Sequence, residues 1–294
     1  MRGHSRSGRP GPAVNPVLLV IAAGLAAMAG GCGQLVSPRA APPSRSAPVT
    51  PAHVSAAQTA RLPRATTFGR LPAEPRDLDP SAPNPGVVLH PTATRVVYAR
   101  PGGPPVATLP STELGTPTWV PVVQSQPGWD RILLPTRPNG SAGWVYLGGG
   151  GLQAATDAYR IEVNLADYRL SVTDGRRTLG SWTVAIGAAD TPTPTGQTFL
   201  LASAAPVHPT FSPLILPLGL HSDALGSFDG GPGTVALHGW PDPAVFGHPV
   251  SHGCVRVPAT ALQLLSRVPI GSLVTITSRP ASTPQARAGP PRPS

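Results

Sequence analysis

Proline decides where this chain can fold. There are 41 prolines in 294 residues, and they crowd into residues 36–85 and the segment after 279. Proline lacks the backbone N–H and fixes φ, so a run rich in it joins neither a helix interior nor a sheet ladder. Mixed with Ala, Ser and Arg and without apolar periodicity, such runs read as polyproline-like or disordered. Apolar residues make up 40% of the chain, and the stretches between the proline-rich runs must hold the core. Residues 1–31 read as a leader, 32–85 as a disordered Pro-rich tether, 86–151 as a small β domain, 159–278 as a second, larger domain, and 279–294 as a disordered tail.

The leader has a positive start (Arg2, Arg6, Arg9), an apolar run from Val17 to Ala29, and Ala29-Gly30-Gly31-Cys32. The apolar run is too short to span a bilayer comfortably and fits an export signal. Small residues before a cysteine resemble a bacterial lipobox, which would make Cys32 the lipidated first residue of the mature chain. Ala29 stands where such boxes carry leucine, and an ordinary cleaved signal is the alternative. A lipid-anchored chain on the outer face of the cytoplasmic membrane is therefore expected, with contact to the membrane through that anchor. Net charge is +9, and loss of the three leader arginines leaves about +6. All 22 basic residues are Arg. A basic excess favours anionic partners such as wall polymers or lipid headgroups. No basic run interleaved with aromatics points to nucleic acid, and none is expected as a partner.

Five β-prone runs divide residues 86–151: Gly86–Leu89, Arg95–Tyr98, Trp119–Val123, Asp130–Leu134 and Gly143–Leu147. Turn signals such as Pro127-Gly128 and Pro138-Asn139-Gly140 separate them. With Trp119, Trp129 and Trp144, they resemble a bacterial SH3-like barrel in which at least two of the tryptophans fill the core. Gly148–Gly151 and Leu152–Asp157 read as a hinge. Beyond it, Tyr159–Leu165 and Tyr168–Val172 alternate with period two around a hairpin turn at Asp174-Gly175. Strands are expected at Thr178–Ile186, Gln197–Leu201, Thr234–Leu237 and Ser272–Thr277, with one helix at Ala259–Ser266. The fold class is mainly β.

Only two cysteines occur. Cys254 lies in Val250-Ser251-His252-Gly253-Cys254-Val255-Arg256, and a second histidine precedes it in Leu237-His238-Gly239. A nucleophilic thiol needs a base to take its proton and N–H groups to hold a developing oxyanion. A zinc site could draw on the same Cys and His, but no second cysteine is near and Asp242 is the closest carboxylate. No metal or other cofactor is expected. A Cys32–Cys254 disulfide would consume both proposed roles.

The His-Gly followed by Ser-His-Gly-Cys-Val-Arg, with the opening hairpin, the Thr193–Gly196 loop and the closing helix and strand, resembles the YkuD family of L,D-transpeptidases over residues 159–278. The resemblance implies a β sandwich with Cys254 as nucleophile and His238 as its base. It implies the Gly239 carbonyl as the group that orients His238. His252 would shape the site, and the N–H groups of Gly253 and Cys254 would form an oxyanion hole. Ser251 would support the loop, and Arg256 would either bind a substrate carboxylate or brace the loop. The implied substrate is the peptidoglycan stem peptide. Cys254 would attack the carbonyl of its third residue, D-Ala would leave, and a neighbouring stem's amine would resolve the thioester into a 3→3 cross-link. Carbapenem β-lactams are then expected inhibitors, and a monomer is expected. Two other readings stand beside it: a non-catalytic wall-binding lipoprotein, and an L,D-carboxypeptidase that resolves the same thioester with water. Phe211–Ser222, apolar and interrupted by proline, aligns with nothing in this pattern.

Overall fold

Strands dominate because β-branched and aromatic residues alternate between closely spaced turns, and the chain is mainly β. The computed structural model describes residues 49–71, 76–77, 84–208 and 211–279. The leader, Cys32, half of the tether and all but Arg279 of the tail lie outside the described residues.

The N-terminal module is one antiparallel sheet of seven strands. Their order is Pro105–Leu109, Arg95–Tyr98, Ala142–Tyr146, Trp129–Leu133, Val120–Gln126, Val87–Pro91 and Leu152–Thr156. Trp129 and Trp144 are buried against Tyr98, while Trp119 remains partly exposed. Two expectations need correction here. The hinge is an edge strand: Leu152–Thr156 pairs antiparallel with Val87–Pro91, from Val87↔Thr156 to Pro91↔Leu152. Its small side chains had masked a strand that relies on ladder bonds more than on burial.

The tether is also not disordered throughout. Ser55 and Gln58 form a capping box that starts a helix at Ala56–Arg61, satisfying two orphan donors reciprocally. Beyond it, the Ala65 N–H donates to Thr108 O, and the Thr108 N–H donates to Pro63 O. Ala65, Thr67 and Leu71 are buried. The segment lacks a core of its own and orders by bonding to the β module.

In the second region a five-stranded sheet runs in the order Arg177–Thr183, Arg169–Asp174, Tyr159–Asn164, Leu273–Thr277 and Gly196–Phe199. A three-stranded sheet carries Ile215–His221, Thr234–Gly239 and Val255–Val257 in that order. Ile161, Leu170 and Ile276 from the first sheet share one core with Leu218, Leu237 and Val255 from the second. The helix Ala259–Leu265 closes that core with Ala261, Leu262 and Leu265, the positions its apolar spacing marks. The two regions are not separately cored. Phe199, Leu201 and Leu273 pack in the same cluster as Leu89, Leu109 and Ile132 of the N-terminal module. A module this small buries more apolar surface by borrowing a neighbour's.

Candidate active site

The three-stranded sheet brings the two chemical segments together. Thr234–Gly239 and Val255–Val257 run parallel, with Leu237 opposite Val255 and His238 opposite Arg256. Leu237 and Val255 are fully buried in the core. Side chains alternate along a strand, so His238 projects from the opposite face, and Cys254 stands in the turn directly before Val255–Val257, with the Ala236 N–H of the neighbouring strand beside its thiol. Cys254 is a free thiol, partly exposed.

His238 is 7% exposed, and its Nδ1 lies 2.8 Å from Gly239 O. A carbonyl can only accept, so Nδ1 carries the proton and Nε2 keeps its lone pair free as a base. Burial pushes the His238 pKa below its ordinary value; the Gly239 hydrogen bond pulls it back up and the Arg256 charge lowers it further. Burial pushes the Cys254 thiol upward, opposed by the Ala236 N–H and by Arg256. Both shifts favour the uncharged form of each group.

The nucleophile loop is held from two sides. The Ser251 hydroxyl donates to the Cys254 carbonyl and accepts from the Gly253 N–H at 3.1 Å. The Gly253 N–H is therefore engaged and does not serve as an oxyanion donor in this arrangement. The glycine itself is required by conformation. Its φ is +114°, while an added Cβ would meet nothing closer than 3.8 Å. From the other side, Thr191 Oγ1 donates to Ser251 O and Thr193 Oγ1 donates to Gly253 O, each at 2.9 Å. Gly187 lets that Thr-Pro-Thr segment approach, since a Cβ there would fall 2.2 Å from Thr191 O.

The flanking side chains are aromatic. The Arg256 guanidinium lies 3.6 Å from the centroid of the Trp240 ring. Of the two roles considered for it, the brace is the one this contact supports. The exposed His252 ring packs on Phe228 at 5.2 Å, and Phe211 meets His238 edge-on at 4.9 Å. Next to His238 an apolar pocket of about 370 Å³ opens between Phe211, Leu214, Trp240 and Leu262. Over Cys254 there is only a slot of about 20 Å³, walled by Leu225, Phe228 and His252.

Ser212 stands in no motif that marks it as functional. Its hydroxyl accepts the Gly239 N–H at 2.8 Å and donates to Leu214 O, which fixes the carbonyl that orients His238. It lies in the stretch Phe211–Ser222 that aligned with nothing. The same stretch contains the strand Ile215–His221, concealed in sequence by Pro217 and Gly219.

Against known families, residues 158–276 match the L,D-transpeptidase catalytic domain, YkuD. Residues 158–276 are a YkuD domain. The solved structures this chain is similar to include the catalytic domain of an L,D-transpeptidase from Enterococcus faecium, at 20% identity over 40% of this chain and 95% of that one, TM-score 0.31. An L,D-transpeptidase from Mycobacterium smegmatis is 15% identical over 71% of this chain and 89% of its own, TM-score 0.36. L,D-transpeptidase 3 from Mycobacterium tuberculosis, solved with a faropenem-derived adduct, is 15% identical over 47% and 73%, TM-score 0.34. At such scores the likenesses add no weight to the family match. No curated protein matches the chain.

Proposed function

We propose that the chain is a peptidoglycan L,D-transpeptidase that works through a Cys254 thioester and forms 3→3 cross-links. One observation supports the reading: within the YkuD domain, the strand that holds His238 pairs with Val255–Val257, the strand that Cys254 directly precedes. In the proposed reaction Nε2 of His238 takes the thiol proton as sulfur attacks the carbonyl of the stem's third residue. The Cys254 N–H faces the developing oxyanion. The tetrahedral intermediate expels D-Ala, which receives the proton from His238. A side-chain amine of a second stem then attacks the thioester; it gives up a proton and Cys254 leaves as a thiol. No step needs a cofactor.

Export, lipidation at Cys32, a location on the outer face of the membrane and an SH3-like role for the N-terminal module belong to the same proposal, and they rest on sequence. So does acylation by carbapenems, for which the faropenem adduct of the mycobacterial enzyme supplies a parallel.

The test is intact-protein mass spectrometry after meropenem, with stem peptides assayed in parallel. A mass increase on the Cys254 peptide, absent in Cys254→Ala, together with diaminopimelate–diaminopimelate linkages, is expected. Trimmed stems with no linkage would convert the enzyme into a carboxypeptidase. No adduct and no turnover would leave only the wall-binding reading.

A further inference from the structure

The loop at 222–233 joins the strands Ile215–His221 and Thr234–Gly239, and it walls the slot above Cys254 with Ser222, Leu225, Phe228 and Gly233. The slot of about 20 Å³ has room for about one water. A carbonyl carrying a peptide on either side does not fit, so the position of this loop sets access to the sulfur.

What holds the loop belongs to the N-terminal module. The Arg137 guanidinium donates to three of its backbone carbonyls: Nη1 to Ser222 O at 3.0 Å, and Nη2 to Leu225 O and Pro232 O, each at 2.9 Å. Two residues on, Asn139 grips the loop's entry. The His221 N–H donates to Asn139 Oδ1 at 2.9 Å, and Asn139 Nδ2 donates to His221 O at 2.7 Å and to Asp223 Oδ1 at 3.1 Å. The loop adds its own closure, with the Ser222 N–H donating to Gly233 O and the Leu225 N–H to Ser222 Oγ. Both ends of the wall are thus tied to one short segment of the other module. A guanidinium directs five N–H donors from three nitrogens in a fixed plane, while an ammonium offers three from a single atom, so the fork reaches carbonyls spread this far apart with less loss of freedom.

We propose that Arg137 and Asn139 are positioning residues of the active site: the N-terminal module sets the width of the Cys254 slot by anchoring the loop that walls it. The proposal rests on Cys254 being the reactive thiol. Substrates bulkier than the slot then depend on these anchors more than small ones do.

The experiment compares alkylation of Cys254 by iodoacetamide and by a fluorescein maleimide, read on the Cys254 peptide so that Cys32 does not interfere. Wild type, Arg137→Ala, Arg137→Lys and Asn139→Ala are compared at one pH, each checked for a cooperative melt. Charge-assisted hydrogen bonds are strong enough that losing the fork should raise the bulky-to-small rate ratio about tenfold or more. Lysine should fall between wild type and alanine, and Asn139→Ala should move the ratio in the same direction. General destabilisation raises both rates together and leaves the ratio alone. A ratio unchanged in the folded variants overturns the proposal, and if Arg137→Ala does not fold, the other two variants decide it. Alkylation needs only the thiol, so this result stands apart from whether meropenem or stem peptides react.

Discussion

Ser251→Ala tests how the nucleophile loop is held. Ser251 is 2% exposed, and its hydroxyl satisfies two backbone groups of the same turn, the Gly253 N–H and the Cys254 carbonyl. Removing it forfeits two hydrogen bonds and strands polar groups where water has little access. A net loss of about 1 kcal/mol per bond, with about 1–3 kcal/mol for a stranded buried group, totals about 3–5 kcal/mol. The backbone carbonyl of Ser251 still accepts from Thr191 Oγ1 and from the Ala188 N–H. The damage is therefore confined to the Gly253–Cys254 turn. For a folded unit of this size, each kcal/mol moves the melting midpoint by about 2–4 °C, so a fall on the order of 10 °C is expected. The larger effect is on chemistry. A nucleophile displaced by about 1 Å loses on the order of 100-fold in rate, and the freed turn allows a displacement of that size. Differential scanning calorimetry gives the first quantity, and the rate of the Cys254 mass shift with meropenem gives the second. Ser251→Thr keeps the hydroxyl and should preserve most of the acylation rate. If Ser251→Ala melts within about 2 °C of wild type and acylates within about twofold, the hydroxyl does not hold the loop.

Two predictions concern protons. His238 is held below its ordinary 6.5 and Cys254 above its ordinary 9.0, both mainly by burial. Acylation should therefore decline only at pH below 6.5, while iodoacetamide labelling of Cys254 should still be climbing at pH 9, with no plateau below it; labelling already at its maximum near pH 6 would indicate an ion pair instead. Glu113 is pushed up to about 7 from 4.5, chiefly by burial, with the Thr67 N–H and Arg64 pulling the other way. A folded-state pKa raised in this way gives stability that is complete below pH 4.5 and is lost as pH rises through 7. Urea midpoints should drop between pH 5 and pH 8 by an amount equivalent to ~3 kcal/mol, and Glu113→Gln should flatten that slope.

The parts of the fold that sequence revealed are those whose side chains alternate into a core. Tyr159–Asn164 and Leu273–Thr277 are strands because Ile161, Val163, Val274 and Ile276 all point inward. Hidden parts are held by backbone bonding instead. Leu152–Thr156 is largely exposed, and Ile215–His221 carries Pro217 and Gly219 in a strand whose register with Thr234–Gly239 shifts between Pro217 and His221. The site divides the same way. Cys254, His238 and the Gly239 carbonyl could be read from a short motif because neighbours in sequence are neighbours in space there. Ser212, Thr193 and Arg137 reach the site from 27, 60 and 85 residues away from the groups they bind, and a single sequence holds no record of such pairings. His221 shows the limit. It had no assignable role in the sequence, yet it is fully buried, with Nε2 2.7 Å from Thr67 O.

The burial that raises the Cys254 pKa slows catalysis when considered alone, because a thiol is a far weaker nucleophile than a thiolate. It also has a use that fits the proposed exported setting. Oxidation and disulfide exchange both proceed through the thiolate, so a sulfur kept protonated in a slot one water wide resists the oxidants of an exterior compartment. In the proposed reaction the slot would admit a substrate only if the loop at 222–233 yields, and proton transfer to His238 would follow with the carbonyl already against the sulfur. Protection and reactivity would then be separated in time. Both depend on contacts remote in sequence from the His-Gly-Cys motif: the Thr191–Thr193 brace beneath the sulfur and the Arg137 anchor above it. An isolated YkuD domain without residues 86–151 would keep the motif and the brace but lose the anchor.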